Sequence, residues 1–278
     1  MTDTLLEVKG LTVSFGGEEN AVEDVSFELK KGEFLTVIGA SGGGKSTVAK
    51  SIIKMLDDKA KVTGGVFYNG QDIHQEYADD PSTLRKKFGY AMQEARVFGT
   101  EIWKDITYPA YVRGLIAPGR LGMAYSRLFD SEAAQQHLSN LPTRRELAID
   151  LSTRVGLYQQ IGDRIFTMEG IDLSGGQKQR LCIGRALVGG PDIIIMDEPT
   201  GALDPIAIAH IEEVIKDLNR QGIAIILVTH NMQQAARIGS DRTAVFYQGS
   251  LIELDKTDKI FTNPQHDRTE ALISGRIG

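Results

Sequence analysis

Residues 39–47 constrain the fold of this chain more than any other part of its 278-residue sequence. They read Gly-Ala-Ser-Gly-Gly-Gly-Lys-Ser-Thr and fit the pattern G-x-x-x-x-G-K-S/T of a phosphate-binding loop. The continuous apolar run 34–38 precedes them, and apolar residues recur at helical spacing from Lys45 onward. A loop of this type between a buried strand and a helix predicts that the chain binds ATP.

The glycines of this loop let the backbone curl, so that several N–H groups point at a polyphosphate. Lys45 is expected to reach the β- and γ-phosphates, Ser46 to ligate Mg²⁺, and Thr47 to support the α-phosphate. The alternative is a glycine-rich turn that binds nothing, and the strand–loop–helix context disfavours it. The predicted ATP contacts in this loop are Gly39, Ser41, Gly42, Gly43, Gly44, Lys45, Ser46 and Thr47.

Two carboxylates follow the apolar run 193–196, which has the pattern of a buried strand. In an open parallel sheet the carboxyl ends of the strands face the ligand crevice. Asp197 is therefore expected to hold Mg²⁺, directly or through water, and Glu198 to take a proton from the attacking water. A solvated acidic turn is the alternative, and the phosphate-binding loop elsewhere in the chain makes it the weaker interpretation.

His230 follows a second apolar run, residues 223–229, and is expected at the same edge of the sheet. There it is placed to hydrogen-bond a γ-phosphate, although a lone histidine is more often structural. The other four histidines form no ligand spacing with it, so we predict no structural metal site; they are His74, His137, His210 and His266.

Three stretches of the chain differ in character. Residues 1–93 are predicted to form strands with one strong helix, and the alternating polarity of 5–13 and 22–29 indicates half-buried strands. Residues 94–172 are predicted to form a mainly helical subdomain with segments at 131–138 and 144–157. Residues 173–278 return to alternating strands and helices, with Asp204-Pro205 beginning a helix. Alternation of this kind predicts an α/β fold in which a parallel sheet has helices on both faces.

Composition excludes several classes of protein. No apolar run approaches the roughly 20 residues that cross a bilayer, and the N-terminus lacks a signal-peptide pattern. The single cysteine, Cys182, rules out an internal disulfide and fits a reducing compartment. A net charge of −6 argues against nucleic acid as a partner. We therefore expect a cytoplasmic protein, unless a partner holds it at a membrane.

Residues 173–177 read Leu-Ser-Gly-Gly-Gln and precede a predicted helix. Ser174 and Gln177 fit the S-x-x-E/Q capping box, so one interpretation is a well-capped helix. A second interpretation is an anion-binding helix terminus. Both can hold at once.

Five motifs now stand in the chain in a particular order. The phosphate-binding loop is followed by Leu-Ser-Gly-Gly-Gln at 173–177, Asp-Glu-Pro at 197–199, Ala-Leu-Asp at 202–204, and His230. In order and approximate spacing this resembles the ATP-binding subunits of ABC transporters over almost the whole chain. The resemblance implies a P-loop NTPase (RecA-like) core with an antiparallel β subdomain and a helical subdomain. The core would comprise 1–93 and 173–278, and the helical subdomain 94–172.

The same resemblance implies a head-to-tail homodimer with ATP sandwiched between the two copies. Lys45 of one copy would hold an ATP that the other copy covers. Gln93 lies where the family has a glutamine that senses Mg²⁺ and the partner, and Phe15 where the family places an aromatic ring against adenine. The alternatives are an ordinary strand-end glutamine and a core phenylalanine. The residues expected to contact ATP from the second copy are Ser174, Gly175, Gly176, Gln177 and Asp204.

The C-terminal third resembles the bacterial phosphate-importer subfamily, as does Arg-Leu-Cys-Ile at 180–183. Val-Thr-His-Asn-Met-Gln-Gln-Ala-Ala-Arg at 228–237 carries most of this resemblance, and the end of the chain agrees with it. It implies two integral-membrane permease subunits, an extracytoplasmic substrate-binding protein, and a peripheral place on the cytoplasmic side of the cell membrane. Further agreement lies at 251–253, 257–258, 260–262, 269–270 and 275–278.

Three features depart from that subfamily. Residues 94–99 lack its proline-rich stretch, the segment 114–150 is longer, and Gly201 replaces a serine. We therefore expect an ATPase that drives import, with phosphate as the first candidate cargo and another cargo as the alternative. A soluble ABC ATPase of translation or DNA repair is disfavoured, because this chain has one cassette and no sustained heptads. A regulatory module without turnover is disfavoured because Glu198 and His230 are retained.

Overall fold

The computed structural model describes residues 3–16, 20–77, 80–117, 141–201 and 203–277. The predicted helix at 131–138 and most of the long segment 114–150 lie outside the described residues, as does Ala202. Within the described residues, no helix is long and apolar enough to cross a membrane. The contacts divide the chain into two units: the first comprises 1–93, 191–201 and 215–278, and the second 94–190 and 202–214.

Among the described residues of the first unit, ten strands form two sheets. The antiparallel sheet has the order β2-β1-β4-β5. The second sheet has the order β10-β9-β3-β8-β7-β6, and its strands pair in parallel apart from the antiparallel pair β9–β10. The strands are β1 Thr4–Ser14, β2 Val22–Lys30, β3 Phe34–Gly39, β4 Lys61–Tyr68, β5 Gln71–Asp72, β6 Phe88–Ala91, β7 Ile193–Asp197, β8 Ala224–Thr229, β9 Arg242–Tyr247 and β10 Ser250–Lys256.

The central strands β3, β7 and β8 are buried along their whole length. This explains why they are continuous apolar runs and do not alternate. Strand β2 has the alternating burial of a sheet with one wet face, as its sequence predicts. The predicted strands at 5–13, 22–29, 34–38, 193–196 and 223–229 are all confirmed to within a residue or two.

Helices cover both faces of the mainly parallel sheet within the first unit. Leu35 and Val37 of β3 pack in one cluster with Val48 and Ile52 of the helix Lys45–Ile52, and that cluster continues into the antiparallel sheet. Ile38, on the opposite face of the same strand, packs with residues of the C-terminal helices. The other helices of this unit are Ile73–Glu76, Pro81–Arg85, Met232–Arg237, Thr257–Thr262 and Asp267–Ile273.

The second unit is helical in its described residues. The helix Gly175–Ala186 packs on Ile102–Ile106 and Arg144–Arg154, and Leu181 and Ile183 are fully buried. Also described in this unit are the helices Tyr108–Val112 and Tyr158–Ile161 and the 3₁₀ turns Gly162–Phe166 and Gly170–Asp172. The sequence predicts a long helix at 144–157, and it ends at Arg154 with Gly156 in a left-handed conformation (φ +67°).

The second unit contains more of the chain than the helical subdomain predicted at 94–172. Residues up to 93 fall in the first unit, as in the sequence-based division, but 173–190 and 202–214 belong with the helices of the second unit. The reason is packing, because the apolar face of Gly175–Ala186 is buried against helices of 94–172. The helix Pro205–Arg220 begins where predicted, with Asp204 Oδ1 accepting hydrogen bonds from the N–H groups of Ile206 and Ala207, both at 3.0 Å.

Candidate functional site

The predicted site residues of the first unit that follow β3, β6, β7 and β8 lie at one edge of the mainly parallel sheet. Strands β3, β8 and β7 are neighbours there, so the loops that follow them meet. Gln93 follows the next strand, β6. Together they line a cleft of about 360 Å³. The cleft is lined by Ser41, Gly42, Gly43, Gly44, Lys45, Ser46, Thr47, Gln93, Glu198 and His230.

Two glycines of the phosphate-binding loop have no room for a side chain. A Cβ on Gly39 would lie 2.3 Å from the backbone oxygen of Phe246, and one on Gly44 would lie 2.6 Å from that of Ala21. Both have positive φ, +154° and +89°. The loop therefore lies against β9 and the segment before β2, and glycine is required at both positions for steric reasons.

The Lys45 side chain is folded back along its own loop. Its Nζ donates hydrogen bonds to the carbonyl oxygens of Gly39 and Ala40, both at 2.8 Å, and the residue is only 5% exposed. Burial lowers the pKa of this ammonium from its ordinary value, and the nearby carboxylates of Glu198 and Asp197 act in the opposite direction. The loop thus contains a buried cation held by neutral carbonyl groups, a suitable arrangement for receiving an anion.

Asp197 at the end of β7 accepts two hydrogen bonds, one on each oxygen. Ser46 Oγ donates to Oδ1 at 2.9 Å, and the hydroxyl of Tyr90 donates to Oδ2 at 3.0 Å. Burial is the main reason that the pKa of Tyr90 is raised, followed by the Asp197 carboxylate. Ser46 and Asp197 were both expected to hold Mg²⁺, whereas Tyr90 was not predicted, because nothing in a single sequence distinguishes its hydroxyl from that of any other strand tyrosine.

Glu198 lies between Gln93 and His230. Its Oε2 is 2.6 Å from His230 Nδ1 and 3.4 Å from Gln93 Nε2. The Glu198 backbone is left-handed (φ +50°), an uncommon and strained conformation for a residue with a side chain. A hydrogen bond from its N–H to the carbonyl of Val228, 2.9 Å long, holds it there. The turn directs the carboxylate toward the histidine of the neighbouring strand.

A buried polar network lies beneath this pair and was not predicted. Gln234 Oε1 accepts hydrogen bonds from the hydroxyls of Thr200, at 3.1 Å, and Thr229, at 3.0 Å. Thr200 follows Glu198 by two residues, and Thr229 precedes His230 directly. Gln234 therefore connects the loops that carry the two functional side chains. A helix-borne glutamine gives no sequence signal for such a role.

Phe15 does not lie in the described lining of the cleft. It follows β1 at a bend and is 46% exposed. The core alternative is therefore wrong, since the ring is not buried. The predicted stacking of Phe15 on adenine stays a prediction.

The remaining predicted residues meet in the second unit. Ser174 and Gln177 form the predicted capping box: Ser174 N–H donates to Gln177 Oε1 at 3.0 Å, and Gln177 N–H donates to Ser174 Oγ at 3.4 Å. Ser174, Gly176, Gln177 and Asp204 line a shared concavity of about 170 Å³. A Cβ on Gly176 would come 2.6 Å from that of Ala207, so glycine permits close packing here.

The donor groups of the cleft fit Mg²⁺ and a polyphosphate. Mg²⁺ prefers oxygen ligands. The Ser46 hydroxyl and the Gln93 amide offer oxygens in the cleft, and the Asp197 carboxylate is hydrogen-bonded to Ser46. Ser46 donates its proton to Asp197, which leaves lone pairs of the hydroxyl oxygen for a cation. Lys45 and the loop N–H groups supply hydrogen-bond donors for phosphate oxygens.

Comparison with known sequences gives two findings. The family model described as ABC transporter matches residues 22–201. The chain is also 38% identical over 280 aligned residues to the phosphate import ATP-binding protein PstB 2 of Shouchella clausii (strain KSM-K16). That alignment covers 99% of this chain and 92% of the relative.

Solved structures agree on the fold. One is CbiO1 from Clostridium perfringens, described as part of the ABC transporter complex CbiONQ. It is 22% identical with a TM-score of 0.73, and the match covers 99% of this chain and 97% of the CbiO1 chain. Another is the ATP-binding cassette MJ0796, solved as a dimer in a post-hydrolysis state with ADP and Pi. It is 25% identical with a TM-score of 0.68, and the match covers 91% of this chain and 99% of the MJ0796 chain. These similarities confirm the predicted fold class.

Proposed function

Because the chain belongs to the ABC transporter family, we propose that it is the ATP-hydrolysing subunit of an importer whose cargo is inorganic phosphate. The observation that supports turnover most directly is the cleft of the first unit, where Lys45, Ser46, Asp197, Glu198 and His230 meet. The 38% identical relative, a phosphate import protein by name, supports the cargo.

In this proposal the triphosphate lies along the loop of residues 41–47. Lys45 leaves its two carbonyl partners and donates instead to phosphate oxygens, a charge-assisted contact stronger than those it gives up. Ser46 and Asp197, with Gln93, hold Mg²⁺, which when bound would neutralise charge on the phosphate oxygens. The glycines at 39 and 44 keep the backbone close enough for its N–H groups to take part.

Glu198 acts as the general base in this scheme. Its carboxylate is 14% exposed at the side chain, so water can reach it from the cleft, and it takes a proton from the attacking water. His230, 2.6 Å away, orients that carboxylate and adds a polar group at the γ end of the triphosphate. Hydrogen bonding of this kind fixes the base before the substrate arrives.

A second copy of the chain completes each site in the proposal. The concavity around Ser174 lies at the N-terminus of the twelve-residue helix Gly175–Ala186, where backbone N–H groups and the helix dipole favour an anion. Ser174, Gly175, Gly176, Gln177 and Asp204 of one copy would cover the ATP held by Lys45 of the other. The ring of Phe15 would stack on adenine, a contact worth about 1–3 kcal/mol for a base on an aromatic ring.

The second unit is proposed to carry the contact with two permease subunits. Phe98, Tyr108 and Tyr111 are exposed aromatic residues around a groove of about 470 Å³, beside Lys104 and Arg144. An exposed aromatic surface rimmed by cations is suited to a partner protein. The chain would then lie on the cytoplasmic side of the cell membrane, and the extracytoplasmic binding protein would act through the permease.

The test is to purify the chain from its native membrane with its permease and reconstitute the complex in vesicles. We expect ATP hydrolysis that rises when the binding protein loaded with inorganic phosphate is added to the opposite side. Sulfate is the matched oxyanion control. Stimulation by another cargo and not by phosphate would contradict the cargo while leaving the importer function intact.

The Glu198→Gln variant provides the catalytic control in the same vesicles. General-base catalysis typically contributes about 10²–10⁴ in rate, so hydrolysis should fall by that order while ATP binding persists. Wild-type protein that neither binds nor hydrolyses ATP in the presence of Mg²⁺ would contradict the ATPase function itself.

A further inference from the structure

The hydroxyl of Tyr90 contacts the carboxylate of Asp197, the partner of Ser46 in the cleft, but has no part in the scheme above. It donates a hydrogen bond to Asp197 Oδ2 at 3.0 Å, while Ser46 Oγ donates to Oδ1 at 2.9 Å. Both oxygens of this carboxylate are therefore engaged, one from β6 and one from the helix Lys45–Ile52. Asp197 itself is 6% exposed.

Strand register places Tyr90 on the face of the mainly parallel sheet that also carries Asp197. In the parallel pair β6–β7, Tyr90 lies opposite Ile195. Alternate residues of a strand share a face, so Ile193, Ile195 and Asp197 point the same way, and Tyr90 points with them. Ile193 and Ile195 pack in the same cluster as Val48 of the helix that carries Ser46. The tyrosine hydroxyl thus extends along this face to the last residue of β7.

The side-chain torsion angles of Asp197 do not by themselves fix the orientation of its carboxylate plane. The χ2 rotation of aspartate has a broad distribution, so the direction of each oxygen is set by hydrogen bonds. With Tyr90 holding Oδ2, Oδ1 is kept on the side of Ser46. Removing the hydroxyl leaves Oδ2 without this donor and frees the carboxylate plane to turn.

We propose that Tyr90 is a positioning residue for the cation: by holding Asp197 Oδ2, it presents the Oδ1 side of the carboxylate, beside Ser46, to Mg²⁺. This inference rests on the proposed function, because it requires that Ser46 and Asp197 hold Mg²⁺ with the nucleotide. Groups that orient metal-binding carboxylates typically change metal affinity by about 10–100-fold when they are removed. Tyr90 does not touch the nucleotide in this scheme.

The chain contains a matched control at the other end of the same strand. Tyr68 donates a hydrogen bond to Asp192 Oδ2, directly before β7 begins, and Tyr68 is buried. Tyr68 belongs to β4 of the antiparallel sheet, so Tyr68→Phe removes a tyrosine–aspartate bond at the other end of β7 without touching the cleft. Any effect that both variants share reflects stability, and an effect seen only in Tyr90→Phe reflects the cleft.

The experiment measures cation affinity and nucleotide affinity separately. Mn²⁺ is titrated into each protein with a non-hydrolysable ATP analogue present, and bound Mn²⁺ is read by electron paramagnetic resonance. A fluorescent ATP analogue is titrated in EDTA, and ATP hydrolysis is measured against Mg²⁺ concentration. For Tyr90→Phe we expect Mn²⁺ affinity to fall, and the Mg²⁺ concentration at half-maximal rate to rise, by about 10–100-fold. Nucleotide affinity in EDTA and the rate at saturating Mg²⁺ should change much less.

Two results would overturn the inference, and they can be told apart. If Tyr90→Phe and Tyr68→Phe have the same Mn²⁺ affinity, while the wild type depends on Mg²⁺ as expected, Tyr90 does not position the cation and the proposed function survives. If wild-type protein binds the nucleotide equally with Mg²⁺ and with EDTA and shows no Mg²⁺-dependent hydrolysis, the proposed function fails and the role of Tyr90 fails with it.

Discussion

Gly44 and Gly42 lie in the same phosphate-binding loop but have different surroundings. Both have positive φ, +89° and +78°. A Cβ on Gly44 would meet the backbone oxygen of Ala21 at 2.6 Å, whereas one on Gly42 would have no described atom within 4 Å. A left-handed conformation costs a residue with a side chain roughly 1–2 kcal/mol at either position. Only at Gly44 is a steric clash with backbone added.

We therefore expect Gly44→Ala to lower the free energy of unfolding more than Gly42→Ala does, by roughly a further 1–3 kcal/mol for the forced overlap. Urea unfolding of both variants measures this difference directly. Equal losses would mean that the contact with Ala21 relaxes without strain and that backbone conformation alone selects glycine in this loop.

At the scale of elements, a buried ion pair links two helices of the second unit. Arg185 of Gly175–Ala186 donates to Asp105 Oδ1 of Ile102–Ile106 at 2.9 Å, and the Asp105 side chain is 0% exposed. Asp105 Oδ2 also accepts from the N–H of Phe98 at 2.7 Å. Burial holds the pKa of Asp105 above its ordinary value, and these two donors act in the opposite direction.

Arg185→Met should destabilise the protein by about 3–5 kcal/mol at neutral pH, because it leaves a buried carboxylate without its cation. Loss of the cation also raises the pKa of Asp105 further. Above the ordinary value of 3.8, the folded state then binds more protons than the unfolded state. The free energy of unfolding of Arg185→Met must therefore fall as pH rises from the ordinary pKa toward the raised one. Its deficit relative to the wild type should be smallest near about pH 4 and larger at about pH 7.

Denaturant unfolding at several pH values tests this, with Arg185→Met/Asp105→Asn as the matched control. The amide of the double variant does not titrate, so the deficit of Arg185→Met relative to it should grow with pH. A difference between the two that is independent of pH would show that the Asp105 charge is not the origin of the loss.

Gln234 connects two elements of the first unit through its side chain. Its Oε1 accepts from the hydroxyl of Thr200, in the loop after β7, and from that of Thr229, at the end of β8, and all three residues are buried. Gln234→Leu would leave both hydroxyls without this acceptor. An unsatisfied buried polar group costs about 1–3 kcal/mol, so we expect a loss of at least that order.

Gln233→Leu is the control, because Gln233 is the exposed preceding residue of the helix Met232–Arg237. Thermal unfolding should show a clear loss for Gln234→Leu and a change within about 0.5 kcal/mol for Gln233→Leu. A catalytic deficit at a temperature where Gln234→Leu is fully folded would extend the role of Gln234 to the Glu198–His230 pair. Identical stabilities would rule out the network as a structural link.

At the scale of the whole molecule, the proposed homodimer makes a prediction about mixtures. Lys45→Ala removes the triphosphate contact of one copy, and Ser174→Arg blocks the covering segment of the other. Each variant alone should be inactive, but a mixed dimer would contain one intact composite site. A random mixture should therefore recover about a quarter of the wild-type rate, since half of its dimers are mixed and each has one of two sites.

ATP hydrolysis of the mixture at fixed total protein measures the recovery, with each parent assayed at the same concentration. Mixing Lys45→Ala with Glu198→Gln is a useful control, because both changes affect the residues contributed by the same copy. That mixture should stay inactive, since each dimer site then lacks either the lysine or the base. Equal recovery in both mixtures would contradict the arrangement in which Ser174 acts on the other copy.

Local chemistry explains how much of this molecule could be predicted from its sequence. The phosphate-binding loop, the capping box of Ser174 and Gln177 and the buried strands all depend on residues within a few positions of one another. The common edge at which Asp197 and His230 meet follows from the rule for parallel sheets. The importer subfamily was predicted from motifs, and the comparisons show that the chain belongs to the ABC transporter family.

The tertiary structure alone decided contacts between residues that are far apart in the chain. Tyr90 and Asp197 are separated by 107 positions, Asp105 and Arg185 by 80, and Thr200 and Gln234 by 34. The membership of 173–190 in the second unit is of the same kind, because it depends on which apolar face finds which partner. The sequence determined which local backbone shapes and side chains this chain presents. Strand register and packing decided which of those side chains meet, since one residue of register shift turns a side chain to the other face.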